Sequence, residues 1–466
     1  MAKPTAMVAA EFERIALEDP RLCQRTQLIV PRLAERPELS FPKMFEDSRE
    51  LEGFYRFLRN DKVDPQTVLA PHVANTLGRI QETGGPVLCL HDTTTFAFDG
   101  RQNLGIVEGE VRGFLAHFSM AFGLDGMPLG ALRVHTWQRD ASKPSPTKLR
   151  KQGVSQEAVT VMPSEMDRWG ESITAVEALV AKPSVLIHLA DSEGDDYRLL
   201  LQLSQQGCRY VVRGCYDRRI IDVEHSLLRT RLAVQASVAT RSVKLNARTT
   251  STSKRNQPRA ARVAELEVRA AAVTLKRPRK LPTDVAETLE LNVVHVLETA
   301  PPQGQQPIEW ILLTSERIDS PEAILAVVDM YRRRWLIEEF FKALKTGCAY
   351  ESRQLETFDT FDNALALFVP VAWGLLCLRA LERSDSPLPV EDYFDSDQIA
   401  VLRAKSRTPI KTVTEALAAI AQIGGHIRNN GRPGWLVLWR GLRDLFLLAQ
   451  GFALARECGA AYYDQS

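Results

Sequence analysis

The order of apolar runs between residues 84 and 214 constrains this chain most. GGPVLCLHD is an apolar run that closes on Asp92. AHFSMAFGLDGMPLGALRVHTW holds two strand-like runs around Asp125-Gly126, a dipeptide that favours a tight hairpin turn. A helical stretch, SEMDRWGESITAVEALVAK, follows. After Pro183 comes SVLIHLAD, a second apolar run closing on an aspartate, Asp191. A helix, YRLLLQLSQQG, and a strand, RYVVRG, complete the order β-β-β-α-β-α-β.

A hairpin-linked three-strand start followed by an α-β crossover is the layout of an RNase H-like domain. The expected fold is therefore α/β, a mixed sheet flanked by helices. If the strands closing on Asp92 and Asp191 are neighbours, their carboxylates meet at one edge of the sheet, where open α/β sheets bind ligands.

The flanks differ in pattern. Residues 1–70 read as helical, with Leu28, Ile29, Leu33 and then Phe54, Phe57, Leu58 at helical spacing, interrupted by Pro31 and Pro37; PELSFP reads as a connector. Residues 215–315 alternate, as in ELEVRAAAVTL, LELNVVHVLE and IEWILLTS, and predict a β-rich insertion with a basic loop. The segment 241–281 carries twelve Lys/Arg against two Glu, around a stretch TTSTSKRNQP. From 318 onward the chain reads as helical, giving domains at 1–70, 71–365 and 366–466. The net charge is +1 with 25% charged residues, so a nucleic-acid enzyme of this composition must gather its positive charge locally. There is no run of about 18 apolar residues and no signal-peptide core, which points to a cytoplasmic protein without a membrane partner. The seven cysteines form no CxxC pair and the eight histidines no HExxH, so neither reads as a metal framework; His91 and His188 read as structural neighbours of the aspartates.

The densest chemistry lies in YRRRWLIEEFFKALK, residues 331–345. At about 100° per residue, Tyr331, Arg334, Glu338, Lys342 and Lys345 share one narrow helix face. Leu336, Ile337, Phe340 and Leu344 fall on the opposite face. One side can pack on a sheet while the other projects a single carboxylate framed by cations and a phenol. Such a carboxylate can complete a metal site with two aspartates, and the cations can hold phosphates.

Tyr331-x2-Arg334-x3-Glu338-x6-Lys345 resembles the YREK signature of bacterial DDE cut-and-paste transposases of the insertion-sequence-four group, which includes the transposon-five transposase. VVDMYRRRWLIEEFFKALKTG, HDTTT around Asp92, ADSEGDDY around Asp191 and LAERPELSFPKMFEDSRELEGFYRFLRN are also similar to that family, and the resemblance runs from about residue 15 to about 455.

The resemblance implies a DNA transposase whose Asp92, Asp191 and Glu338 bind two Mg²⁺ ions, with Mn²⁺ able to substitute. It implies DNA-phosphate contacts from Tyr331, Arg334, Lys342 and Lys345, an arginine beside the active site at Arg213, and base stacking by Trp310. The implied partners are double-stranded DNA, as transposon ends and target, and a second copy of the chain in the synaptic complex. The implied domains are an N-terminal DNA-end-binding domain, a catalytic core with its insertion, and a helical C-terminal domain that dimerises. A metal-dependent nuclease of the same fold and a non-catalytic DNA-binding relative remain alternatives; the intact acids weigh against the latter. A paired-carboxylate glycosidase has no need of three cations around the acid.

Overall fold

Among the described residues the apolar and alternating runs form eleven strands: β1 (Val87–Ala97), β2 (Gly105–Glu108), β3 (Val111–Gly123), β4 (Pro128–Trp137), β5 (Leu186–Ala190), β6 (Arg209–Gly214), β7 (Ile220–Ile221), β8 (Ala239–Leu245), β9 (Arg262–Lys276), β10 (Thr288–Glu298) and β11 (Glu309–Thr314). The computed structural model describes residues 4–45, 47–101, 103–139, 149, 151–153, 165–181, 184–245, 247, 258, 260–383, 388–406, 408–427 and 433–463. Most of TTSTSKRNQP lies outside the described residues. The chain forms two compact units that interleave in sequence. One comprises Met1–Gly84, Thr93–Ala141 and Leu336–Ser466; the other comprises Gly85–Asp92 and Ser142–Trp335. The sequence boundaries near 70 and 365 are consecutive instead.

The second unit is a mixed α/β layer. The first half of β1 pairs parallel with β5, with Leu90 opposite Leu189, and β5 pairs parallel with β6. From β6 the sheet continues antiparallel through β11, β10 and β9, and β9 also pairs with β7 and β8. This is the β-rich segment expected at 215–315. The helices Asp167–Glu177 and Tyr197–Gln205 cover it through Trp169, Ile173, Tyr197, Leu200 and Leu203, which share a buried cluster with Val212, Leu291 and Ile311. Asp196 caps the second helix by accepting from the backbone N–H of Arg198. Three arginines of the basic stretch have acidic partners within this unit: Arg241 pairs with Asp329, Arg262 with Glu298 and Arg269 with Glu267. They act there as internal ties.

The first unit packs helices around β2, β3, β4 and the end of β1. A short extra strand, β2, pairs antiparallel with β3, which the three-strand reading did not anticipate. The expected hairpin joins β3 to β4, with Gly126 at φ +94 in the turn. At Gly113 a Cβ would stand 1.9 Å from the carbonyl oxygen of Phe96, so this close approach of β3 to the end of β1 needs glycine.

The helix Pro20–Glu35 runs through Pro31, although the sequence reading took that proline as an interruption. Ring closure removes one backbone donor, but the buried Ile29, Val30 and Leu33 hold the helix on both sides of it. Leu28, which shares the helical spacing with Ile29 and Leu33, is 65% exposed. PELSFP is held by Arg353, whose buried guanidinium donates to the carbonyls of Pro37, Leu39 and Cys348 and lies over the rings of Phe41 and Phe368.

Among the described residues one helix, Phe358–Glu382, is long and apolar enough by composition to cross a membrane, yet 94% of its apolar window is buried inside the protein. It is a core helix. Trp373 on it donates to the carbonyl of Pro128 at 3.0 Å, which fixes it against the start of β4.

The segment 331–345 is not one continuous α-helix. An α-helix ends at Arg332, a 3-10 turn spans Arg333–Trp335, an α-helix spans Leu336–Lys342, and a π-helical turn spans Ala343–Gly347. The 3-10 and π turns wind at different pitches, so the single 100° phase that put five polar residues on one face does not hold. Ile337, Phe340 and Leu344 are buried as expected. Tyr331, expected on the open face, is buried at 5% exposure.

Candidate active site

In the second unit, parallel pairing sets the two aspartates side by side. Asp92 lies two residues beyond Leu90 on β1, and Asp191 two residues beyond Leu189 on β5, so the shared register brings them to the same level. β5 ends at Ala190, which places Asp191 at a strand terminus as expected. β1 continues five residues past Asp92, so Asp92 lies within a strand and not at its end. The polar run Thr93–Thr95 can extend because β3 also bonds to β1.

Arg334 Nη1 donates to Asp92 Oδ2 at 3.2 Å. Asp191 Oδ1 accepts from the backbone N–H of Glu193 at 2.8 Å, capping the 3-10 turn Ser192–Gly194. Burial pushes the Glu193 carboxyl above its ordinary range, and the charges of Asp191 and Glu165 add to that. Asp195 takes a different role. It accepts from the backbone N–H groups of Cys215 and Tyr216 and pairs with the buried Arg218, which fixes the chain after β6.

Tyr331 sits among the same groups. Burial raises its phenol above the usual range. Arg213 and Arg334 oppose that shift, and the charge of Asp191 adds to it. The phenol therefore stays a neutral O–H donor. The ring of Trp310 meets that of Tyr331 edge-on at 5.4 Å between centroids. Arg213 Nη2 also donates to the carbonyl of Glu309 at 3.4 Å. The second unit thus brings together Asp92, Asp191, Arg213, Trp310, Tyr331 and Arg334.

Glu338, Lys342 and Lys345 belong to the first unit. Phe340 and Phe341 both meet Phe118 of β3 at 5.4 Å, which anchors their helix on the sheet. Glu338 is half-buried in the first turn of Leu336–Lys342. Lys342 Nζ is 3.0 Å from Glu339 Oε1, and Glu339 is also within 3.8 Å of Arg379. Lys345 donates to the carbonyl of Thr95, lies 3.3 Å from Glu351 and stands 5.2 Å over the ring of Phe96.

One group went unread in the sequence. Cys89, His91 and His188 bring their ligand atoms within 4.8 Å of one another, as do Glu177, His188 and Cys208. The scattered cysteines and histidines therefore do form clusters in space. The available signal was Cys89-x-His91 on one strand face, which identifies no partner without the β1–β5 register.

The donor set of Asp92 and Asp191 fits a hard divalent cation, because paired carboxylates at one sheet level offer oxygen ligands, the kind Mg²⁺ prefers. Residues 4–63 match the family model described as transposase DNA-binding. Residues 173–369 match the model described as transposase DDE domain, a span that includes Asp191 and Glu338. The chain therefore carries a transposase DNA-binding region followed by a transposase DDE domain, which supports its place among the DDE transposases.

Proposed function

We propose that this protein is a cut-and-paste DNA transposase of the insertion-sequence-four kind with an RNase H-like core, and that Asp92, Asp191 and Glu338 are its acidic triad. The observation that carries the reading is the pair Asp92 and Asp191 at one level of adjacent parallel strands, with Arg334 on Asp92, in a chain that matches a DDE domain. The role of Glu338 rests on the Tyr331-Arg334-Glu338-Lys345 spacing.

Two Mg²⁺ ions, or Mn²⁺ in their place, would supply an activated oxygen nucleophile and stabilise the leaving oxygen. The chain's own residues bind and orient. Arg334 balances the Asp92 charge before DNA arrives. Arg213, Arg334, Lys342 and Lys345 offer cations to the strand phosphates. Tyr331 donates its neutral hydroxyl to a phosphate oxygen. Trp310 stacks on a base turned out of the duplex, which relieves strain in a hairpin formed as the end is released. Residues 1–70 read the transposon end, and a second copy, paired through the C-terminal helices, holds the other end. The work takes place in the cytoplasm on nucleoid DNA.

The test is cleavage and strand transfer with the inverted repeats that flank the gene, in Mg²⁺ and in EDTA, for the wild type and Glu338→Ala. Metal-dependent hairpins and joined products, absent in the variant, are expected. Cleavage that survives Glu338→Ala overturns the triad. Cleavage without joining of a pre-cut 3′-hydroxyl end makes the protein a nuclease. Binding without cleavage in Mg²⁺ and in Mn²⁺ makes it a DNA-binding relative.

A further inference from the structure

Behind the strand level that carries the aspartates lies a second donor set of different chemistry. Cys89 and His91 are two residues apart on β1 and so share a face. His188 on β5 is the register partner of Cys89. All three are buried, at 0%, 0% and 1% exposure. His91 Nε2 and His188 Nδ1 point at each other across 2.9 Å, and the Cys89 sulfur lies within 4.8 Å of both imidazoles' ligand atoms. The far nitrogen of His188, Nε2, is 2.9 Å from Glu177 Oε1, and Glu177 also accepts from Ser184 Oγ at 2.8 Å.

A carboxylate on the outer nitrogen of an imidazole is the arrangement that fixes a metal-binding histidine in its ligating tautomer. Two imidazole nitrogens and a sulfur within 4.8 Å of one another are the ligand types of a borderline-soft cation, whereas the aspartate pair offers hard oxygens. We propose that Cys89, His91 and His188 form a buried Zn²⁺ site, with Glu177 as the outer partner of His188, separate from the carboxylate site.

Charge favours this set. One thiolate and one outer carboxylate balance a divalent cation, so the buried group as a whole is neutral. Burial pushes the Cys89 thiol above its usual range, so without a cation it is a neutral S–H. Binding releases that thiol proton to solvent, and His91 moves its ring proton from Nε2 to Nδ1 as Nε2 becomes a ligand. His188 keeps its proton on Nε2 for Glu177. The other cluster, Glu177, His188 and Cys208, is disfavoured because it takes Glu177 away from that outer role. The site would tie β1 to β5 directly beneath Asp92 and Asp191. Its readout needs no DNA, so its failure is distinct from failure of the transposase reading.

The full-length protein, purified without chelator and dialysed, is assayed for zinc by elemental analysis and for thermal unfolding with and without added Zn²⁺. Cys89→Ala and Cys208→Ala are compared, with circular dichroism confirming that each is folded. The expected result is about one zinc per chain and a zinc-dependent rise in Tm. Both should be lost in Cys89→Ala and kept in Cys208→Ala, and Co²⁺ loading should give a thiolate-to-metal absorption band in the wild type alone of the wild-type and Cys89→Ala pair. If Cys89→Ala does not fold, His91→Gln replaces it. A folded wild type that holds no zinc and shows no thermal shift overturns the site. Zinc that survives Cys89→Ala but not Cys208→Ala overturns this choice of ligands.

Discussion

Arg334 Nη1 stands 3.2 Å from Asp92 Oδ2, and the two side chains are only 13% and 14% exposed. A carboxylate that far from water needs a counter-charge, and the guanidinium supplies it with a directed hydrogen bond. Arg334→Ala is expected to lower the rate of end cleavage by about a hundredfold or more, the range for loss of one preorganised charged donor. Arg334→Lys restores the charge without the planar fork and should recover only part of the rate. Initial rates at saturating Mg²⁺ on end-containing duplexes decide the point; wild-type rates in Arg334→Ala would dismiss any functional role for the pair.

Trp310 and Tyr331 meet edge-on at 5.4 Å, and Tyr331 is buried while Trp310 is half-exposed. A double-mutant cycle with Trp310→Leu and Tyr331→Leu, followed by urea unfolding, should return a coupling of about 0.5–1.5 kcal/mol for such a pair. The stacking role makes a separate demand. Trp310→Ala should leave the first nick near its normal rate and slow resolution of the hairpin. Equal slowing of both steps would reduce Trp310 to a packing residue.

Much of the site was legible because strand chemistry is local. The apolar runs before Asp92 and Asp191 each predicted a strand; that the two are neighbours was a condition of the reading, which the parallel β1–β5 register meets. What was not legible depended on neighbours far along the chain. Asp92 was read as a strand end because the apolar run GGPVLCLHD closes on it, yet β1 runs to Ala97 with β3 beside it. The helix at 331–345 was read at one pitch, but a 3-10 turn at Arg333–Trp335 and a π turn at Ala343–Gly347 interrupt it, and Tyr331 is buried. The His91–His188–Glu177 chain spans three elements and has no sequence spacing at all.

Asp195 and Arg218 form a pair with side chains 0% and 7% exposed, and Asp195 also holds two backbone N–H groups after β6. Removing one partner leaves a buried charge without compensation. Arg218→Ala is expected to cost about 3–5 kcal/mol. Arg456, 61% exposed beside Asp397, is the contrast. Arg456→Ala should change stability by about 1 kcal/mol or less, since water and salt screen an exposed pair. Urea midpoints at constant slope report both, and comparable losses in the two variants would contradict the burial argument.

Asp362 gives the protein a pH dependence with a definite sign. Burial, the largest cause, raises its carboxyl from 3.8 to about 6; Asp359 and Asp64 add to the rise, and the hydrogen bond from Thr136 Oγ1 at 2.8 Å opposes it. Between those two values the folded chain binds more protons at this group than the unfolded chain does. Stability from Asp362 is therefore fully present below about 4 and is lost as pH rises through about 6. Asp362→Asn keeps an oxygen to accept from Thr136 and carries no charge to desolvate. It should abolish this component of the slope and stabilise the protein on the order of 1–3 kcal/mol above pH about 7, with little gain below about 4. Thermal unfolding of the two proteins across that window measures the difference directly, and a gain that does not grow with pH would refute the assigned shift.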